Sequence, residues 1–196
     1  MTALKVGITG GIGAGKSIVS QIFEHLGYPV FNSDQVAKDL MVNNSELKQQ
    51  IIALFGEQAY ENNQLNRAHL SAIVFKDKSK IEALNQIVHP AVRAAFDQAA
   101  KNSSAPMIFN EAAILYETGA YKNFDHIILV TADEDIKIQR TMARDKVTEE
   151  AVKARLANQM SDAEKRSFAP FEIINDGSQL VLPQVLSFIA NYSTSS

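Results

Sequence analysis

Gly10-Gly11-Ile12-Gly13-Ala14-Gly15-Lys16-Ser17 is the run in this chain with the clearest chemical purpose, and it fits the pattern G-x-x-x-x-G-K-[ST]. Glycines let successive backbone N–H groups turn inward around phosphate oxygens, where larger side chains would stand in the way. A helix opening at Lys16 adds unpaired N–H groups and a dipole that favours an anion. Lys16 reaches the outer phosphates as a point charge, both binding and catalytic in purpose, and the Ser17 hydroxyl is a ligand for Mg²⁺. The run therefore reads as a nucleoside triphosphate site, with Gly11, Ile12, Gly13, Ala14 and Gly15 supplying backbone to the phosphates. A glycine-rich turn that binds nothing is the plain alternative. A dinucleotide loop is a weaker competitor, because it would not require Lys16 and Ser17.

Other residues bear on what is done with the triphosphate. Asp34 follows the second expected strand, read as beside the strand that carries the loop, and ligands bind at the carboxyl ends of strands in such sheets. An Asp there can accept the proton of an acceptor hydroxyl or help hold the metal. Its bland reading is a cap for a helix beginning at Gln35. Arg140 and Arg144 lie four apart on one helix face, with Arg155 on the next helix. Small kinases close arginine-bearing lids over the triphosphate, excluding water and supplying charge to the transferring group; an isolated exposed arginine is otherwise merely solvated. A nucleotide-driven switch is the competing class. No N-K-x-D guanine-reading motif and no D-x-x-G switch occurs in the chain, and Met107-Ile108-Phe109-Asn110-Glu111 is only a loose substitute for the apolar run ending in Asp of a motor ATPase.

The elements that must position these residues can be read from apolar spacing. Leu4–Thr9 is expected to be a buried strand, Lys16–Leu26 a helix stopped by Gly27, and Tyr28–Asn32 a second strand, a βαβ unit that implies a parallel sheet with helices on both faces. The next seventy or so residues carry helical periodicity, at 34–42, 45–55, 67–75 and 79–101, with a polar turn from Gly56 to Asn66 and no convincing strand. They read as a helical insertion. Strands are expected at 106–110, 126–131 and 172–174. Helices are expected at 133–145, at 148–160 with Thr148 as N-cap, and at 179–192, with a frayed tail at 193–196. The fold class is thus α/β, a P-loop-type parallel sheet flanked by helices.

Bulk properties narrow the rest. The 196 residues suit one domain with an inserted subdomain, and a net charge of −3 gives no reason to expect a nucleic-acid backbone as partner. With no cysteine, disulfides, thiolate nucleophiles and cysteine zinc sites are excluded, and the four histidines lie at no metal-ligand spacing. No apolar run approaches the roughly 20 residues of a membrane span, and the opening segment is expected to be a strand and not a cleavable leader. A cytoplasmic protein is expected, with no indication of oligomeric state.

Taken together, these residues resemble the dephospho-CoA kinase family over almost the whole chain. Val6 through Ser17 is close to the family's T-G-G-I-G-S-G-K-S opening. Asn32-Ser33-Asp34 stands at its D-A-D. Asn66-Arg67 with Leu70 and Ile73-Val74-Phe75 resembles its R-x-x-L-x-x-x-V-F helix, and Leu84-Asn85 through His89-Pro90 its L-N-x-x-x-H-P segment. Glu111 through Glu117 matches its P-L-L-F-E region loosely. Gln139-Arg140, Arg144-Asp145, Arg155 and Gln159 resemble its lid, and Ile174-Asn175-Asp176-Gly177 its I-x-N-x-G strand end.

The resemblance implies transfer of the ATP γ-phosphate to the 3′-hydroxyl of dephospho-CoA ribose with Mg²⁺, the last step of coenzyme A synthesis. It implies a nucleotide core (1–33, 104–138, 170–196), a helical CoA-binding domain (34–103) and a lid (139–169). Asp34 would be the general base, and Asp34, Arg67 and His89 would meet the acceptor. Arg140 would act in catalysis, and Arg144 and Asn175 would join the nucleotide site. His89 could instead be a helix-end histidine placed by Pro90, and Arg67 could pair with an acid near the start of its helix. Two departures stand out: Asn32 replaces the first acid of D-A-D, and Glu111 enters where Pro is common. A kinase for another small phosphoryl acceptor is the alternative.

Overall fold

The apolar hexapeptide Leu4–Thr9, buried over its last four residues, forms strand β1. The computed structural model describes residues 3–77, 79–168 and 171–192, with the side chains of all but 75 and 76; the tail expected at 193–196 lies outside them. From β1 the chain enters the glycine loop and α1 (Lys16–His25), then β2 (Val30–Asn32). The helical stretch holds α2 (Ser33–Asn43), α3 (Ser45–Phe55), a one-turn helix at Glu57–Ala59, strands β3 (Tyr60–Glu61) and β4 (Gln64–Leu65), α4 (Arg67–Lys76) and α5 (Ser79–Asn102). The chain then returns through β5 (Met107–Glu111), β6 (His126–Thr131), α6 (Glu134–Asp145), α7 (Glu149–Leu156), α8 (Asp162–Arg166), β7 (Phe171–Ile174) and α9 (Val181–Tyr192).

Two compact units result, Met1–Phe31 with Ala100–Ser196, and Asn32–Ala99. The first carries a five-stranded sheet in the order β2-β5-β1-β6-β7. β1 pairs in parallel with β5 and β6, and β6 with β7. The loop strand is therefore central, as expected for a parallel sheet buried on both faces. β2 is not its neighbour, however: β5 stands between them, so Asp34 follows a strand one place further out than the sequence suggested. Strand order depends on pairings across a hundred residues, which local periodicity does not encode.

One face of the sheet is closed by aromatic packing. Phe23 of α1 stacks on Phe109 of β5 with ring centroids 3.8 Å apart, and Phe188 of α9 meets both edge-on at 6.1 and 6.2 Å. All three rings are fully buried, with Val6, Ile8, Ile128 and Val130 beneath them. Offset stacks and edge contacts of this kind add to the burial term itself.

The second unit packs around Leu47, Ile51 and Phe55 of α3, Leu70 of α4, and Val88, Val92 and Phe96 of α5. Its polar turn is more ordered than expected. β3 and β4 pair antiparallel through a two-residue loop, Asn62-Asn63, both at positive φ (50° and 61°). Two asparagines flanked by Tyr-Glu and Gln-Leu are a short-hairpin signal, but strands of two residues show no alternation. The Tyr60 hydroxyl donates to the Met41 carbonyl at 2.6 Å, anchoring this hairpin to α2.

The helix expected at 148–160 is also corrected. It ends at Leu156, and a separate short helix, α8, begins after Ser161 with a full capping box: the Glu164 N–H donates to Ser161 Oγ, and the Ser161 N–H to the Glu164 carboxylate. Thr148 caps α7 as expected, accepting from the Ala151 N–H. The stacked core pair leads to a stability prediction. Phe109→Ala leaves a void against Phe23 and should lower unfolding free energy by about 3–5 kcal/mol, measured by urea unfolding with the denaturant slope unchanged.

Candidate active site

The glycine loop leaves the carboxyl end of β1 and turns into α1 at Gly15, which takes φ 93°, ψ 30°, a left-handed conformation. Close packing makes glycine necessary at Gly10, where a Cβ would strike the Val130 carbonyl oxygen of β6, and at two positions further on. A Cβ on Gly13 (φ 80°) would strike the Lys137 carbonyl oxygen of α6, and one on Gly15 would strike the Asn175 side-chain amide. The loop is thus pressed between α6 and the residue that ends β7. The N–H groups of Gly13 and Gly15 donate to no acceptor among the described residues. Unpaired donors at a helix N-terminus form an anion site. Lys16 lies folded along the loop, its Nζ donating to the Gly10 carbonyl at 2.8 Å and the Gly11 carbonyl at 3.2 Å. Ser17, the second residue of α1, is exposed.

Two of the expected nucleotide-side residues converge here. Asn175 is buried; its side-chain amide donates to the Ala14 carbonyl at 2.9 Å and its own N–H to the Thr131 carbonyl at 2.8 Å. It therefore ties the end of β7 to the loop. Arg140 is not simply solvated. Its Nη1 donates to the Asn175 carbonyl at 2.8 Å, which holds the guanidinium near Gly15.

Arg144 is different: it is exposed and turned to Asp145, with bonds of 2.7 and 3.1 Å to the two carboxylate oxygens. Arg155 reaches the same carboxylate at 2.8 Å. The hydrogen bonds from Arg144, with that from Arg155, hold the Asp145 carboxyl below the ordinary carboxylate range. Arg144 and Arg155 thus meet on Asp145, one turn of α6 beyond Arg140.

Three further side chains, Lys137, Asp162 and Lys165, had no place in the sequence expectations. Lys137 and Asp162 form a nearly buried ion pair of 2.8 Å beside Gly11. Their separation of 25 residues and the unexpected helix α8 hid it. The fully buried Lys165 pairs with Glu117 at 3.0 Å. A lysine at 0% exposure has no signal in sequence beyond the capping box that places α8.

In the helical unit, Asn32 is the N-cap of α2: its side chain accepts from the Gln35 N–H at 2.9 Å. The cap is therefore Asn32 and not Asp34, which sits exposed in the first turn, where the helix dipole favours a carboxylate. The asparagine that replaces the family's first acid serves the cap well. Arg67 is the exposed first residue of α4, and that first turn holds no acid, so the suggested local ion pair does not form. His89 is not at a helix end. It lies within the 24-residue α5, with Pro90 inside the same helix. Burial, with the Arg93 charge one turn on, pushes the His89 pKa down and keeps the ring neutral near pH 7.

A family model described as dephospho-CoA kinase matches residues 4–180. A dephospho-CoA kinase from Bacteroides fragilis is 36% identical over 189 residues, covering 96% of this chain and 92% of that one. A crystal structure of a Thermus thermophilus protein superposes with a TM-score of 0.88 at 32% identity, covering 100% of both chains. The dephospho-CoA kinase from Campylobacter jejuni gives a TM-score of 0.70 at 28% identity over 96% of each chain. The glycine loop, its buried Asn175 latch and these matches along nearly the full length agree, and the chain belongs to the dephospho-CoA kinase family.

Proposed function

We propose that this chain catalyses ATP-dependent phosphorylation of the ribose 3′-hydroxyl of dephospho-CoA, giving coenzyme A and ADP. The observation that carries the triphosphate half is the loop, with unpaired N–H groups of Gly13 and Gly15 at the mouth of α1 and Lys16 lying along it. Family membership carries the acceptor half.

In this reading the loop from Gly11 to Gly15 cradles the phosphates through the N–H groups of Gly13 and Gly15, those of Ile12 and Ala14 being held by Gln159 and the Gly11 carbonyl. Lys16 swings from the loop carbonyls to the β- and γ-oxygens. Ser17 offers a hydroxyl to Mg²⁺. A hard cation that keeps most of its shell as water and phosphate oxygens suits one hydroxyl ligand, and no cluster of three His, Asp or Glu side chains converges among the described residues. Such an ion would neutralise charge on the transferring group. Arg140, held by the Asn175 carbonyl, places a fixed positive charge by the loop, and Arg144 would join it by leaving Asp145.

Asp34 is assigned as the base, on the support of its place two residues after β2 and the acid it shares with the family motif. The acceptor oxygen attacks the γ-phosphorus, the bond to the β–γ bridging oxygen breaks, ADP leaves, and the hydroxyl proton passes to Asp34. Arg67 and the neutral His89 are assigned to the acceptor side. The three-part division follows: residues 34–103 for the acceptor, 139–169 as a lid, and the remainder as the nucleotide core. No helix among the described residues is long and apolar enough to cross a membrane, and a cytoplasmic enzyme with two small-molecule substrates is part of the proposal.

ADP release measured with dephospho-CoA, pantothenate, nucleoside monophosphates, shikimate and gluconate should respond to dephospho-CoA alone. Turnover with another acceptor in that panel, and none with dephospho-CoA, would replace the reading. Asp34→Asn should keep ATP affinity while turnover falls by roughly 10² to 10⁴, the range for a positioned base. Lost ATP affinity with spared turnover would make Asp34 a metal or structural residue instead.

A further inference from the structure

The phosphate loop is gripped by part of the stretch assigned to the lid, through a residue to which the proposed chemistry gives no role. The Ile12 N–H donates to Gln159 Oε1 at 3.0 Å. Gln159 lies on the connection between α7 and α8, and this connection is fastened at two further points. The Met160 N–H donates to Glu117 Oε1 at 3.0 Å, and the same oxygen pairs with the buried Lys165 of α8. Asp162, the first residue of α8, pairs with Lys137 of α6. A Cβ on Gly11 would lie 3.7 Å from both Asp162 Oδ1 and Lys137 Nζ, so this ion pair backs directly onto the loop.

The placement of Gln159 is therefore built and not incidental. A surface glutamine gives up rotamer freedom to make one hydrogen bond, and here Met160 and Asp162 just beyond it are held by Glu117 and Lys137. The bond acts on a soft part of the chain. Gly10, Gly11, Gly13 and Gly15 leave the loop with few side chains to fix its peptide planes. The Gly11 carbonyl accepts from the Ala14 N–H at 3.2 Å, so an acceptor on the Ile12 N–H holds the other side of the Gly11–Ile12 plane and, through it, the direction in which the Gly13 N–H points.

We propose that Gln159 is a positioning residue for the nucleotide: it presets the loop peptides so that the N–H groups of Gly13 and Gly15 converge on the phosphates. The proposal rests on the triphosphate reading of the loop and is independent of the acceptor. Gln159 touches the loop backbone and not the reacting atoms, so its effect belongs to ATP affinity.

The test is titration of a non-hydrolysable ATP analogue with Mg²⁺ into the full chain and into Gln159→Met and Gln159→Glu, with thermal melting and amide exchange at Ile12 followed in parallel. Methionine has a similar shape and no comparable acceptor. Gln159→Met should weaken the analogue about three- to tenfold, the worth of one hydrogen bond. The Ile12 amide should exchange faster, with the melting temperature within about 2 °C of wild type. Gln159→Glu restores an acceptor, so Ile12 should stay protected. Its carboxylate repels the triphosphate, so affinity should be poor at low salt and approach that of wild type in the same buffer as salt rises and screens the charge. Unchanged affinity in Gln159→Met would overturn the proposal. So would a loss of affinity matched by a fall in melting temperature, or a Gln159→Glu protein that stays weak at high salt with Ile12 protected. If the wild-type chain fails to bind the analogue, the triphosphate reading falls and this inference with it.

Discussion

The backbone of the phosphate loop can be pressed against α6 and the end of β7 only because Gly13 and Gly15 lack a Cβ, and the rest of the site depends on that close approach. It brings the Lys137 carbonyl onto one glycine and the Asn175 amide onto the other, while the N–H groups of the two glycines take no acceptor among the described residues. An anion site made from backbone has no long side chains to reorganise, so its donors are aimed before the ligand arrives. The cost lies elsewhere: glycine gives up more conformational freedom on folding than any other residue. The structure offsets it with Asn175 bonded to Ala14, Gln159 bonded to Ile12 and a sheet that holds β1 on both sides.

From that constraint the division of labour follows. α6 contributes to the site with its carbonyl, its ion pair with Asp162 and Arg140 on one continuous face. α8 is only five residues long, yet it carries Asp162 and Lys165, which fasten the 157–161 connection. The helical unit has its own core and its own caps at Asn32, Asn44 and Asn66, each side chain accepting from the third residue on. Asn32 shows how a departure from a family motif can be absorbed: the position has a folding duty that an amide meets.

Much of this was legible in the residues. The loop pattern encodes its own geometry, because glycine, lysine and hydroxyl at those spacings answer directly to phosphate chemistry. The long helices, with apolar residues every three or four positions, lie within a few residues of where periodicity put them. What sequence did not disclose is non-local or short. The order of β2, β5 and β1 comes from pairing between distant segments. The strands beside Asn62-Asn63 span one strand period and the helix α8 little more than one turn, too short to show a repeating pattern, although Ser161 and Glu164 marked the latter. The ion pair Lys137–Asp162 and the buried Lys165 became visible only once α8 was placed. In Asn32-Ser33-Asp34 three successive residues can cap a helix, and where β2 ends decides among them.

The proposed reaction moves a γ-phosphoryl group from ATP to one hydroxyl. ³¹P NMR of the protein incubated with ATP, Mg²⁺ and dephospho-CoA observes that transfer directly. The expected result is a new phosphomonoester resonance, assigned to the ribose 3′ position by its coupling to the 3′ proton, growing in step with ADP. Inorganic phosphate appearing with ADP and no ester, or an ester on any other hydroxyl, would contradict the account.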